Sequence, residues 1–202
     1  MDRLGQRQLG ELTRFWHRRA QMPYEPPPEI AALSLAELAE AVAARKLPPV
    51  EKWTPAQSDD SHMFIRADGT WLHEGGVITR PAMVRAFASL LLRDNEGHWL
   101  VTPVQKLSIA VEDAAFVATD VTEKDGALAF RLNTDEIVIA GPAHQLIARG
   151  DAQTPALYLA VRRGCEARLN RSTYEQLAQI ALAQGDDWSV TSEGATFSLV
   201  PA

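Results

Sequence analysis

Arginine is the side chain whose placement in this sequence carries the most chemical meaning. Arg80 follows Ile78-Thr79 and Arg171 follows Leu169-Asn170, and in both places a helix-like stretch begins at the next residue. A guanidinium is a planar fork of donors that matches phosphate or carboxylate. A helix N-terminus adds free amides and partial positive charge. Each corner therefore reads as an anion seat. Lys106 and Arg85 would add charge, and Trp71, Trp99 or Trp188 would offer a face for a flat ring to stack on. A competing reading pairs both arginines with local carboxylates and puts the tryptophans in the core. The residues alone leave both open.

Other chemistries find less to stand on. His73 and Glu74 adjoin, but neighbours on a strand point to opposite faces. His62, His98 and His144 are scattered without metal-ligand spacing. Glu112-Asp113 would supply an acid and a base, or else an acidic turn. Cys165 stands near Arg162, Arg163 and Arg168, which would lower a thiol pKa, although a small residue filling a strand is the blander account. There is no Gly-x-Ser-x-Gly elbow and no Gly-rich nucleotide fingerprint. Arg162, Arg163, Arg168 and Arg171 make a basic stripe, but Glu166 and Glu175 interrupt it and the net charge is −6. That balance opposes nucleic acid as a partner, and the stripe reads better as a solvated or ion-paired strand face. No catalytic residue, metal site or cofactor is expected.

The elements that position these residues form a pattern that reads as a repeat. Thr70–Leu72 leads to Ile78-Thr79-Arg80, a helix from Pro81 to Arg93, and a strand His98–Thr102. Leu157–Leu159 leads to Leu169-Asn170-Arg171, a helix from Ser172 to Gln184, and a strand Trp188–Thr191. Two similar units pack on each other, and their seam is the natural place for a ligand. Between them, Leu107–Val111, Phe116–Val121, Leu128–Leu132 and Ile137–Ile139 alternate as short strands, with turns at Lys124-Asp125-Gly126 and Asn133-Thr134-Asp135. Asp68-Gly69 makes a tight hairpin turn. The expected fold class is α+β: mostly antiparallel sheets, few helices, and a duplicated strand–helix–strand unit.

Ahead of these lie a basic amphipathic stretch over residues 1–22, the stiff Pro23–Pro28 spacer, and a helix opened by the capping box Ser34-Leu35-Ala36-Glu37. The expected divisions are 1–47, a helical extension and linker; 48–103, a first α+β domain; and 104–202, a second. The chain has 202 residues, 46% apolar and 23% charged, enough for a real core. A single cysteine and the lack of a secretory signal or a bilayer-spanning run point to the cytoplasm and to no membrane span.

Several strings resemble one family: Pro49–Trp53, Asp68-Gly69-Thr70-Trp71, Glu74-Gly75, Ile78-Thr79-Arg80, Leu100-Val101-Thr102-Pro103, Val111-Glu112-Asp113-Ala114 and Glu166-Ala167-Arg168-Leu169. From about Leu47 onward the chain is similar to the bacterial domain-of-unknown-function family 1285. The resemblance implies a duplicated core, a second domain loosely like pleckstrin-homology folds, a nucleotide-like ligand at the domain interface, and a signalling role. Gln105 stands where the family has Glu, and Ala115 where it has Pro.

The expectation is a sensory module holding a small anionic, nucleotide-like molecule between its domains, with a protein partner reading its state. The expected ligand contacts are Trp71, Arg80, Arg85, Thr102, Lys106, Glu112, Asp113, Arg168 and Arg171. Two alternatives stay open: an enzyme of another type in the same seam, or an adaptor acting through the N-terminal helix.

Overall fold

Turn chemistry divides the chain into short strands. The computed structural model describes residues 47–151, 153–185 and 188–201; the N-terminal helices and the proline-rich spacer expected from the sequence lie outside them. A 3-10 turn at Val50–Lys52 buries Val50, and Trp53 packs against the core behind it. β1 (Gln57–Ile65) and β2 (Trp71–His73) pair antiparallel around Asp68-Gly69, where Gly69 takes a φ of +83°. β3 (Gly76–Val77) follows at the edge. Pro81 then opens α1 (Pro81–Ala88), since its missing N–H would be unpaired at a first helical position anyway.

α1 is shorter than the sequence predicts. The apolar spacing calls for a helix as far as Arg93, but Leu91 already pairs with Leu100 across β4 (Leu91–Asp94) and β5 (Gly97–Val101). Tertiary pairing overrides the helical spacing there: Leu90 and Leu91 are fully buried beyond the end of the helix. β6 (Gln105–Val111) completes a six-stranded sheet in the order β3-β2-β1-β6-β5-β4, with β1 and β6 parallel at its centre.

The next six strands repeat this arrangement. β7 (Phe116–Lys124), β8 (Ala127–Leu132), β9 (Ile137–Ile139), β10 (Leu146–Gly150), β11 (Pro155–Arg162) and β12 (Cys165–Leu169) lie in the order β10-β11-β12-β7-β8-β9. Here too the first and sixth strands, β7 and β12, are the parallel central pair, and every other pairing is antiparallel. α2 (Arg171–Gln184) follows, capped by the Asn170 side chain, which accepts from the Thr173 amide, and by Gly185 at a φ of +87°. A hairpin of β13 (Ser189–Ser192) and β14 (Ala195–Ser198) ends the described chain.

The class is α+β with few helices, as the sequence implies, but the repeating unit differs from the strand–helix–strand one. α1 joins the third strand to the fourth in the first sheet, whereas α2 follows the sixth strand of the second. Arg80 and Arg171 therefore do not occupy equivalent corners. The division between sheets also falls later than 103/104: β6 belongs to the first sheet, and residues 112–115 make the crossing. Among the described residues no helix is long and apolar enough to cross a membrane.

Both sheets contribute to one continuous apolar cluster that includes Phe87, Leu91, Phe116, Phe130 and Leu159. Several of the polar ties across it come from the β11–β12 turn. Arg162 pairs with buried Glu136, donates to the Ala88 carbonyl at 3.0 Å, and lies over the Phe116 ring at 4.7 Å. Arg163 donates to the Ser89 carbonyl at 2.9 Å, to Glu51 at 2.9 Å, and to the Pro48 carbonyl. The stripe that suggested an ion-paired strand face thus clamps the carbonyl end of α1. Removing one partner of such a pair leaves an uncompensated buried charge, a loss of about 3–5 kcal/mol. Arg162→Ala is expected to lose that much stability in urea unfolding, and Arg162→Met with Glu136→Leu to recover most of it.

Candidate functional site at the seam

The turn between β1 and β2 docks on the second sheet. Gly69 lies so close to Asn133 that a Cβ there would overlap the Asn133 amide and press on Val117. Asn133 is itself fixed, its amide donating to the Val117 carbonyl at 2.8 Å and its side-chain oxygen accepting from the Val117 amide at 3.1 Å. Two clefts flank this contact and share Asp68 and Asn133. The larger, about 500 Å³, runs from Ala67 and Asp68 to Leu157, Arg168, Asn170, Arg171 and Tyr174 on the second sheet and α2. The smaller, about 330 Å³, lies between Asp68, Trp71, Ile78, Val84 and Arg85.

The nine residues expected to touch a ligand divide sharply. Arg168 and Arg171 line the larger cleft. Arg171 opens α2 with its side chain 93% exposed and pairs with Glu175 at 2.9 Å. Arg168 is held by Asp113 at 2.6 Å, a bond that raises its pKa. Arg85 lines the smaller cleft and bridges the seam to Asp135 at 3.1 Å. Trp71 lines it too, but is 1% exposed and stacked on Phe87, so it offers a wall rather than a stacking face. Arg80 is exposed and lines neither cleft, although Thr79 and Pro81 on either side of it do.

The remaining four are occupied elsewhere. Thr102 is buried and caps a tight turn, its hydroxyl accepting from the Gln105 amide at 3.0 Å. Lys106 pairs with Asp94 at 2.8 Å and lies 4.1 Å over the Trp99 ring, while the Trp99 indole also donates to Asp94. Those two bonds hold the Asp94 carboxyl well below the usual carboxylate range, the Lys106 contact contributing most. Glu112 accepts from the Ala67 amide at 2.8 Å. Asp113, besides Arg168, accepts from the Tyr158 hydroxyl at 2.8 Å. Trp188 is exposed and lines neither cleft.

Sequence reasoning passes over Asp68, Asn133, Asn170 and Tyr174 as site residues. Asp68 and Asn133 announce themselves only as turn formers, and their meeting is tertiary. Asp68 accepts from the Thr70 amide, which lowers its pKa and keeps an ionised carboxylate at the junction of the two clefts. At the α2 N-terminus, Asn170 lines the larger cleft with Arg171 and Tyr174, and its side chain accepts from the Thr173 amide and the Ser172 hydroxyl. The larger cleft therefore has a cationic wall and one acidic corner over an apolar floor of Val117, Leu157 and Leu169. Among the described residues no three His, Cys, Asp or Glu side chains come together as metal ligands would.

Two six-stranded sheets of the same strand order, with clefts at their junction, define the class of this protein. The sequence matches the N-terminal domain of a domain of unknown function (DUF1285) over residues 48–114. Over residues 115–199 it matches the C-terminal domain of the same family. The chain belongs to the DUF1285 family, and the two matches meet where the chain crosses between sheets. A crystal structure of a DUF1285 family protein from Silicibacter pomeroyi DSS-3 is similar at 36% identity and a TM-score of 0.69, over 82% of this chain and 95% of that one. One from Shewanella baltica OS155 is similar at 23% identity and a TM-score of 0.49, over 58% and 90%. No curated protein matches the chain.

Cys165 lies outside both clefts. Burial pushes its thiol up to about 11, and the nearby Arg162, Arg93 and Arg163 only partly offset that. Its arginine neighbours are spent on carboxylates and carbonyls, so the thiolate that the sequence suggested does not form near neutral pH. Native protein at pH 8 is expected to resist a disulfide-exchange reagent such as DTNB, and the thiol to react stoichiometrically once urea unfolds the chain.

Proposed function

We propose that this protein binds a small anionic, nucleotide-like molecule in the larger cleft and acts as a sensory module. One observation carries the reading: Arg168, Arg171 and the α2 cap residue Asn170 line one cleft at the seam of two sheets. Guanidinium forks and free helix amides together make an anion seat, and the Val117, Leu157 and Leu169 floor would receive a less polar body. Asp68, held ionised at the far corner, would take hydrogen-bond donors from that body. Binding would fix how the two sheets sit on one another, and a protein partner would read that arrangement. The single free cysteine, buried and inert, suits a cytoplasmic setting.

Arg80 has no part in this seat, which gives the test an internal control. A panel of nucleotides and inorganic pyrophosphate is expected to raise the melting temperature for at least one member. At a hundredfold excess over Kd the gain is about 5–10 °C. Arg168→Gln and Arg171→Gln are expected to remove most of that gain, and Arg80→Ala to keep it. A flat response across the panel, or full gains in both cleft variants, argues against the seat. Recovery of the bound molecule unchanged separates binding from turnover.

A further inference from the structure

Glu112 and Asp113 lie on the connection between the two sheets, and their side chains run to opposite walls of the larger cleft. Glu112 accepts from the amide of Ala67 on the wall formed by the β1–β2 turn. Asp113 accepts from Arg168 at 2.6 Å and from the Tyr158 hydroxyl at 2.8 Å, both on the second sheet. The connection is thus tied to each wall by one carboxylate. Arg168 lines the cleft and Asp113 does not, so the carboxylate holds from outside the very cation that the cleft presents.

One guanidinium cannot serve two anions at full strength. An anion seated in the cleft and the Asp113 carboxylate would both lie within a few ångströms of Arg168, and their mutual repulsion lowers the binding of each. We infer that Asp113 competes with the cleft's anion for Arg168, so that occupancy loosens the tie between the inter-sheet connection and the second sheet. The inference rests on the anion-binding reading above and supplies its means of control. Coupling of this kind is reciprocal: the factor by which the anion weakens the tie equals the factor by which the tie weakens the anion. Arg168 is 45% exposed and Asp113 21%, so solvent screens the pair and the factor is modest, about fivefold.

Asp113→Asn removes the charge and keeps an acceptor for Tyr158. Titration of the full chain with inorganic pyrophosphate, followed calorimetrically, is expected to show this variant binding about fivefold tighter than the natural sequence. In the natural sequence, pyrophosphate is expected to speed amide exchange at residues 112–115, a measurement that needs no variant. If the natural chain binds pyrophosphate while Asp113→Asn binds equally or more weakly, the competition is refuted and the cleft stands. Unchanged exchange at 112–115 on binding refutes it likewise. If neither protein binds and Arg168→Gln is indistinguishable from both, the cleft itself is refuted and the competition falls with it.

Discussion

Arg162 and Arg163 carry two guanidiniums from the tip of one sheet onto the carbonyls that end a helix beneath the other. The last carbonyls of any helix lack amide partners and bear partial negative charge. Here Ala88 and Ser89 receive theirs from across the seam. The turn that delivers them is tight, with Arg163 at a φ of +50° and Gly164 at +74°. A Cβ on Gly164 would sit 2.7 Å from the Arg93 carbonyl, so only glycine lets β4 come alongside, and the Arg93 amide closes the approach by donating to the Arg163 carbonyl at 2.9 Å. This clamp fixes the end of α1 against the turn of the second sheet. The apolar cluster gives the halves their affinity, but non-directional burial would tolerate a sliding interface. Fixed forks onto fixed carbonyls would not.

Much of the fold is legible in the sequence. Asp68-Gly69 and Lys124-Asp125-Gly126 sit at observed turns because positive φ has few suppliers. The alternating runs become β6 to β9, with Ile137–Ile139 recovered residue for residue. What escapes is anything that depends on distant pairing. The spacing of Phe87, Leu90 and Leu91 reads as one helical stripe, yet Leu91 is claimed by Leu100. A duplication is visible in the sequence, but it attaches there to the wrong units. Two strand–helix–strand segments look alike in one dimension, whereas the true repeat is a strand order that emerges only when first and sixth strands meet.

The site is legible by chemistry and opaque by partnership. Arg168 and Arg171 reach the cleft, as residue type suggests. Glu112 and Asp113 stand out in the sequence as a pair of acids, and they bond Ala67 and Arg168, residues that line the larger cleft. Lys106 and Thr102 are equally plausible as types, but each is spent on a local bond before any cleft is reached. A guanidinium or ammonium in sequence is an offer of charge. Which carboxylate accepts it is decided by folding, and residues separated in the chain, such as Arg85 and Asp135, give no linear sign of their meeting.

The parallel pair at the middle of each sheet has a consequence for biogenesis. β1 meets β6 with Gln57 opposite Gln105, and β7 meets β12 with Phe116 opposite Ala167, spans of roughly fifty residues that must close before either sheet has a centre. The outer meanders can form as soon as they emerge from the ribosome, but the middle must wait for the last strand of its half. In order of synthesis the first sheet therefore has all its strands once β6 is made, and the second only once β12 is made. The second cannot lock against the first until the hairpin bearing Arg162 and Arg163 has been synthesised, late in the chain.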